Sequence, residues 1–233
     1  MTGAILRVTA AYFRRCNLQE DDTLPSEPVN VKRLLRHNGF LRANADPTQG
    51  FTEVALNENN FDIQKPYDKE VSERYSFIDG VHFMWVYKDD KPHSTDSHTS
   101  PRTEILTGHD YTEGVWQLEG DMYVPQGTSG VCVMQVFGGA QHATSMMLLV
   151  SNGNLRHYND QVVASDIYDR WIHLNVIHNA EEGKINVFVD GTQKAVVNDG
   201  GHANHFFKCG VYANNNASPC MESRWKNIKL WTK

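Results

Sequence analysis

Three short segments hold the residues whose types and spacing could do chemistry. Pro101-Arg102-Thr103-Glu104-Ile105-Leu106 sets a guanidinium two residues from a carboxylate. Met134-Gln135-Val136-Phe137 places one glutamine in an apolar run, and Phe206-Phe207-Lys208-Cys209-Gly210-Val211-Tyr212 spaces an ammonium and a phenol along one segment. In a β-strand, alternate residues share a face. Arg102 then projects with Glu104, Lys208 with Gly210 and Tyr212, and Gln135 with Val131, Val133 and Phe137, which leaves Cys132 and Cys209 for the core. Taken singly, each polar residue has an ordinary explanation: a surface ion pair, a solvated lysine, an interfacial tyrosine, a solvated strand glutamine. Brought onto one sheet, Arg102, Gln135, Lys208 and Tyr212 would grip a carboxylate through charge-assisted bonds and an amide donor, with a phenol able to move a proton.

Such a site needs strands to hold it. The chain has 233 residues and a net charge of -6 with acids and bases interspersed, long enough for one domain with a large core. The absence of a basic footprint argues against a nucleic-acid partner, and no apolar run approaches the roughly 20 residues of a membrane span. From Phe51 onward the apolar residues recur with period two, over residues 81–87, 114–124, 130–137, 171–178, 184–189, 205–212 and 224–231. Asn152-Gly153 and Asp190-Gly191 carry hairpin chemistry. The expected fold is all-β, a two-sheet antiparallel β-sandwich of jelly-roll, concanavalin-like form with a concave groove, built from residues 46–233 and acting as a monomer. Residues 1–45 differ: Arg7 interrupts the apolar part that a secretory signal needs, and a basic, helix-like piece follows at 31–41. They read as an N-terminal arm, either poorly structured or a targeting segment.

The three motifs, in this order, resemble those of the jelly-roll polysaccharide lyases of the alginate lyase superfamily. Further stretches, among them Ile63-Gln64-Lys65-Pro66-Tyr67, Gly114-Val115-Trp116-Gln117 and Met221-Glu222-Ser223-Arg224-Trp225, are similar to the plant citrate-binding proteins and fungal glucuronan lyases. The resemblance spans roughly residues 46–233. It implies β-elimination on a polyuronate such as β-1,4-glucuronan, without a cofactor. Arg102 and Gln135 would neutralise the uronate carboxylate, and Tyr212 would move the proton. Lys208, Glu104, Gln117 and Asn214 would contact the substrate. It also implies a secreted (apoplast or cell-wall) or vacuolar location.

The sequence departs from the family pattern in three places. Phe137 stands where a histidine is expected two residues after the glutamine, Leu106 replaces a second arginine, and Phe206 replaces a tyrosine. A substitute general base is sought first in His98, then in His93 and His142. The missing histidine also suits a non-catalytic module that binds citrate or an acidic glycan through Arg102, Lys208 and Gln135. A third reading, a glycoside hydrolase, would use Glu119 and Asp121 as a carboxylate pair. No metal is expected, because neither histidine nor cysteine spacing matches a familiar ligand set. A Cys209–Cys220 bridge would leave Cys16 and Cys132 free.

Overall fold

The computed structural model describes Cys16 and residues 46–56, 61–158 and 161–233. The remaining arm, with its helix-like piece at 31–41, lies outside the described residues. The strands form two antiparallel sheets, and the only helical element among the described residues is a 3-10 turn at Val71–Glu73. One sheet runs in the order β13 (Thr192–Asn198), β12 (Lys184–Val189), β11 (Trp171–Asn179), β6 (Val115–Tyr123), β15 (Cys220–Thr232), β4 (Val81–Tyr87), β3 (Tyr75–Ile78). A short β1 (Thr52–Val54) also pairs with β15. The other runs β10 (Gln161–Ala164), β9 (Asn154–His157), β8 (Thr144–Ser151), β7 (Val131–Phe137), β14 (Phe206–Ala213), β5 (Arg102–Leu106), β2 (Asp62–Gln64). This is the sandwich that the period-two pattern predicts.

The core lies between the sheets. Leu118, Met122, Leu174 and Val176 from one sheet and Met134, Val136, Phe207 and Val211 from the other belong to one buried cluster. Burying each such side chain contributes about 1.5–3 kcal/mol. Three hairpins turn where an acidic or amide residue and a glycine both take positive φ: Asp79-Gly80, Asn152-Gly153 and Asp190-Gly191. Two hydrogen bonds cross the sandwich and fix the strands that matter most. Thr103 Oγ1 on β5 donates to the Trp85 carbonyl on β4 at 2.9 Å, and Ser223 Oγ on β15 donates to the Gly210 carbonyl on β14 at 2.7 Å.

Two expectations are corrected here. The register of β7 against β8 shifts between Cys132 and Met134. Val131, Val133, Met134 and Val136 all belong to the main core as a result. Cys132 joins Met147, Leu149 and Tyr212 in a separate cluster. A bulge inserts one residue and reverses the alternation beyond it, so Gln135 shares its face with Cys132 and not with Val133. The disulfide joins Cys16 to Cys220, while Cys132 and Cys209 remain free and buried. Cys209 could not serve Cys220, because its side chain belongs to the core cluster between the sheets.

His82, on β4, is buried and accepts or donates a 2.9 Å bond with the Tyr75 hydroxyl, with its ring stacked 4.4 Å from that of Phe77. Burial lowers its pKa from 6.5 to about 4. Below pH 6.5 the unfolded chain takes up a proton that the folded chain refuses, so stability is complete above 6.5 and is lost as pH falls toward 4. The contribution is of order 3 kcal/mol. Burial also lowers the pKa of His93, His178 and His205, which adds to the same limb. Urea unfolding across this window is expected to show a declining free energy, and His82→Gln is expected to flatten the decline by about one proton.

Candidate active site on the seven-stranded sheet

β5, β14 and β7 are neighbours, and their register brings the chemical residues together. Lys208 pairs with Gln135 on one side, Gly210 pairs with Glu104 on the other, and Tyr212 pairs with Arg102. Gly210 makes this closeness feasible. It takes φ +146, and a Cβ there would lie 2.3 Å from the Thr103 oxygen and 2.8 Å from the Glu104 Cα.

Glu104 sits at the centre with no solvent exposure. Gln135 Nε2 donates to one of its oxygens; Arg102 Nη1 lies 3.4 Å and Lys208 Nζ 3.8 Å from the other. Arg102, Gln135 and Lys208 are themselves buried. Arg102 Nη2 also donates to Thr99 Oγ1 at 2.8 Å, and its guanidinium carbon lies 3.8 Å from the Tyr212 ring centre. Lys208 Nζ donates to Gln64 Oε1 at 2.8 Å, and Gln135 Oε1 accepts from Thr144 Oγ1 at 3.5 Å. Burial, partly offset by Glu104, lowers the Lys208 pKa.

Some donor capacity is unspent. Arg102 Nε is buried and has no partner among the described residues, as has Nδ1 of His93. Gln135 uses one of its amide hydrogens on Glu104, which leaves a second. His93 lies within electrostatic reach of Arg102 and Lys208. Burial first, then those two cations, depress its pKa, so its imidazole is neutral at pH 7. Formally the buried charged groups, Arg102, Lys208 and Glu104, sum to one positive charge, and the half-buried His93 adds none. A cleft of about 550 Å³ is lined by Thr144, His142, His157 and Tyr158, and it meets the cluster only through Thr144, which bonds Gln135.

The structure thus gathers Arg102, Glu104, Gln135, Lys208 and Tyr212, and leaves others elsewhere. His98 is exposed, and no bond among the described residues ties it to the cluster, whereas His93 lies within electrostatic reach of Arg102 and Lys208. His142 is exposed on the rim of the cleft. Gln117 belongs to β6 in the opposite sheet, fully buried, its side-chain amide without a hydrogen-bond partner among the described residues. Its distance in sequence from the three motifs gave no hint of this. Asn214 donates its backbone N–H to the Gly130 carbonyl and accepts from the Asn215 N–H, at the end of β14. Gln64, Thr99 and Thr144 were missed as supports. Gln64 and Thr99 lay in stretches singled out from the sequence, Thr99 as the neighbour of His98; Thr144 did not. Glu119 and Asp121 lie on β6 and are held by His173 at 3.1 and 2.8 Å, away from the cationic groups.

The profile of the family described as "Alginate lyase" matches residues 54–232. The chain belongs to the alginate lyase family. It is 58% identical over 189 residues to a protein of Hevea brasiliensis named "Citrate-binding protein", covering 80% of this chain and 79% of that protein. Among solved structures it is similar to alginate lyase AlgAT5 of polysaccharide lyase family 7, with TM-score 0.61 and 16% identity over 77% of this chain and 100% of that one. It is also similar to the marine family 7 alginate lyase AlyA1 from Zobellia galactanivorans, with TM-score 0.55 and 16% identity over 71% and 83% of the two chains. At such identity these likenesses speak for the fold alone.

Where the family pattern expects histidine and tyrosine, Phe137 and Phe206 pack 4.8 Å apart. They form an aromatic wall 4.8 and 5.6 Å from Lys208 Nζ. Their faces attract the ammonium without competing for its hydrogens. Removing the central carboxylate should therefore be felt by the whole cluster. Glu104→Ala leaves two buried cations without their counter-charge, and is expected to cost about 3–5 kcal/mol of stability. Gln135→Ala is expected to cost about 1–3 kcal/mol. Urea unfolding of the two variants measures both.

Proposed function

We propose that this family member is a polysaccharide lyase that cleaves a polyuronate, of the β-1,4-linked glucuronan type, by β-elimination. The observation that carries the proposal is the unspent donor capacity of a buried site with one uncompensated positive charge. A buried donor without a partner costs about 1–3 kcal/mol, and a uronate carboxylate would recover that cost at Arg102 Nε and the second amide hydrogen of Gln135. With its carboxylate held there, the C5 proton becomes acidic and the developing enolate is stabilised. Neutral His93 takes that proton, the electron pair forms the C4=C5 double bond, and the C4–O4 bond breaks. Tyr212 gives a proton to the departing O4 and recovers one from solvent or His93. Glu104 positions Gln135 and Arg102, and the step calls for no redox or nucleotide cofactor. The Cys16–Cys220 disulfide supports a secreted, oxidising setting.

A second reading rests on one observation: the name of the Hevea relative. In that reading Arg102, Lys208 and Gln135 hold citrate or an acidic glycan and no bond is broken.

Absorbance of the unsaturated uronate product during incubation with glucuronan, alginate and pectate separates the two. The lyase reading expects a rise, largest with glucuronan. It expects Tyr212→Phe and His93→Gln each to lower turnover by at least about 10²-fold with folding intact. Because His93 must be neutral to accept a proton, and its pKa is depressed, the acid limb of the kcat/KM profile is expected below about 6.5. No rise with any polymer, together with calorimetric citrate binding that Gln135→Ala weakens and Tyr212→Phe does not, selects the binding reading.

A further inference from the structure

We propose that His178, Asp199 and His205 form a binding site for a first-row divalent transition metal, with zinc the first candidate. His178 stands on β11 in the eight-stranded sheet; Asp199 follows β13, and His205 immediately precedes β14 of the other sheet. One ligand atom from each lies within 4.8 Å of the others. A tetrahedral zinc with bonds of about 2.0–2.1 Å holds neighbouring ligand atoms roughly 3.3 Å apart. His178 Nε2 and Asp199 Oδ2 already stand 3.0 Å from each other, and the two imidazoles meet nearly at right angles, with ring centres 4.6 Å apart. Closing on an ion would take side-chain movement of about an ångström, with no change of strand register.

Two independent features point to a ligand. His205 is 1% exposed, and neither ring nitrogen makes a well-formed hydrogen bond among the described residues, with the backbone at Phe137 and Gly138 lying beside the ring. A buried ring nitrogen left poorly satisfied is costly; with one nitrogen turned to a backbone carbonyl, a metal bond at the other would remove that cost. Secondly, the partners that orient metal ligands are in place. Tyr111 Oη lies 2.9 Å from His178 Nδ1, and Asp199 Oδ1 accepts the Gly201 N–H at 2.8 Å. On binding, His178 keeps its single proton, which moves from Nε2 to Nδ1 and is then donated to Tyr111 Oη, while the freed Nε2 lone pair goes to the metal. Asp199 also lines a cleft of about 400 Å³ with Thr112, Glu113, Gly183 and the exposed His202, which gives an ion a way in and a fourth ligand, from water or from His202. Two imidazoles and a carboxylate suit zinc, cobalt or iron better than calcium or magnesium, which favour oxygen ligands. The ion would fasten β11 to the start of β14, the strand that carries Lys208 and Tyr212, so its role is structural.

The test uses the full chain, stripped with a chelator and dialysed. Zn²⁺ titration by calorimetry is expected to show one site per chain with micromolar or tighter affinity, and a melting temperature raised by several degrees at saturation. Co²⁺ is expected to bind in its place with visible d–d absorption. Asp199→Asn, which keeps side-chain shape, and His205→Gln, which keeps a polar group of similar reach, are each expected to weaken zinc at least tenfold and abolish the cobalt signal, whereas His173→Ala, a surface histidine, should change neither. Circular dichroism checks that the variants fold; should one fail to, the other variant and the cobalt spectrum of the unaltered chain decide. Absence of a stoichiometric site, or a site that survives in both ligand variants, overturns the proposal.

Discussion

Taking a carboxylate out of water costs several kcal/mol, and here that cost is offset by Gln135, Arg102 and Lys208 closing round the fully buried Glu104. Much of the seven-stranded sheet's design follows from this. β5, β14 and β7 must be neighbours, because each supplies one side of the cluster. Gly210 must be a glycine, because any larger residue opposite Glu104 would meet the β5 backbone. The bonds from Thr103 and Ser223 to the other sheet hold β5 and β14 at the required height. Glu104 takes one amide hydrogen of Gln135 and one side of Arg102, and leaves the other hydrogen and Arg102 Nε unspent, which is the capacity the proposed function draws on.

The two aromatic replacements fit the same logic. Phe137 and Phe206 remove a histidine and a hydroxyl from the family pattern, yet they leave the ammonium of Lys208 flanked by two ring faces. On the loop before β5, His93 is kept neutral by burial and by the cations it faces, as the proposed base role requires. β14 links this site to the histidine cluster at its own beginning, since His205 precedes Lys208 by three residues. Whatever fixes the entry of that strand also fixes the height of Lys208 and Tyr212.

How much of this was legible follows from where the chain is regular. Arg102 with Glu104, and Lys208 with Tyr212, could be placed on common faces because β5 and β14 alternate without interruption. Gln135 could be singled out, but its face-mates could not be named correctly, because a bulge carries no reliable signature in an apolar run such as Val131-Cys132-Val133-Met134. That Gln135 suits a carboxylate is readable from its type, but that one of its amide hydrogens goes to Glu104 depends on the pairing of β7 with β14 and β5. His98 was preferred over His93 for its closeness to Arg102 in sequence, and loops have no period from which direction can be read. The Cys16–Cys220 pairing and the meeting of His178, Asp199 and His205 depend on long-range topology, to which local spacing is blind.

The central claim, that Glu104 and its buried partners stand as one coupled unit, is tested most directly by a double-mutant cycle between Glu104→Gln and Lys208→Met, read as unfolding free energy in urea. Each single change leaves a buried charge without its counterpart; the double change removes both. The account predicts that the double variant is more stable than the sum of the singles implies, by at least about 1 kcal/mol. Additive losses would contradict it and return Glu104 and Lys208 to the status of independent neighbours.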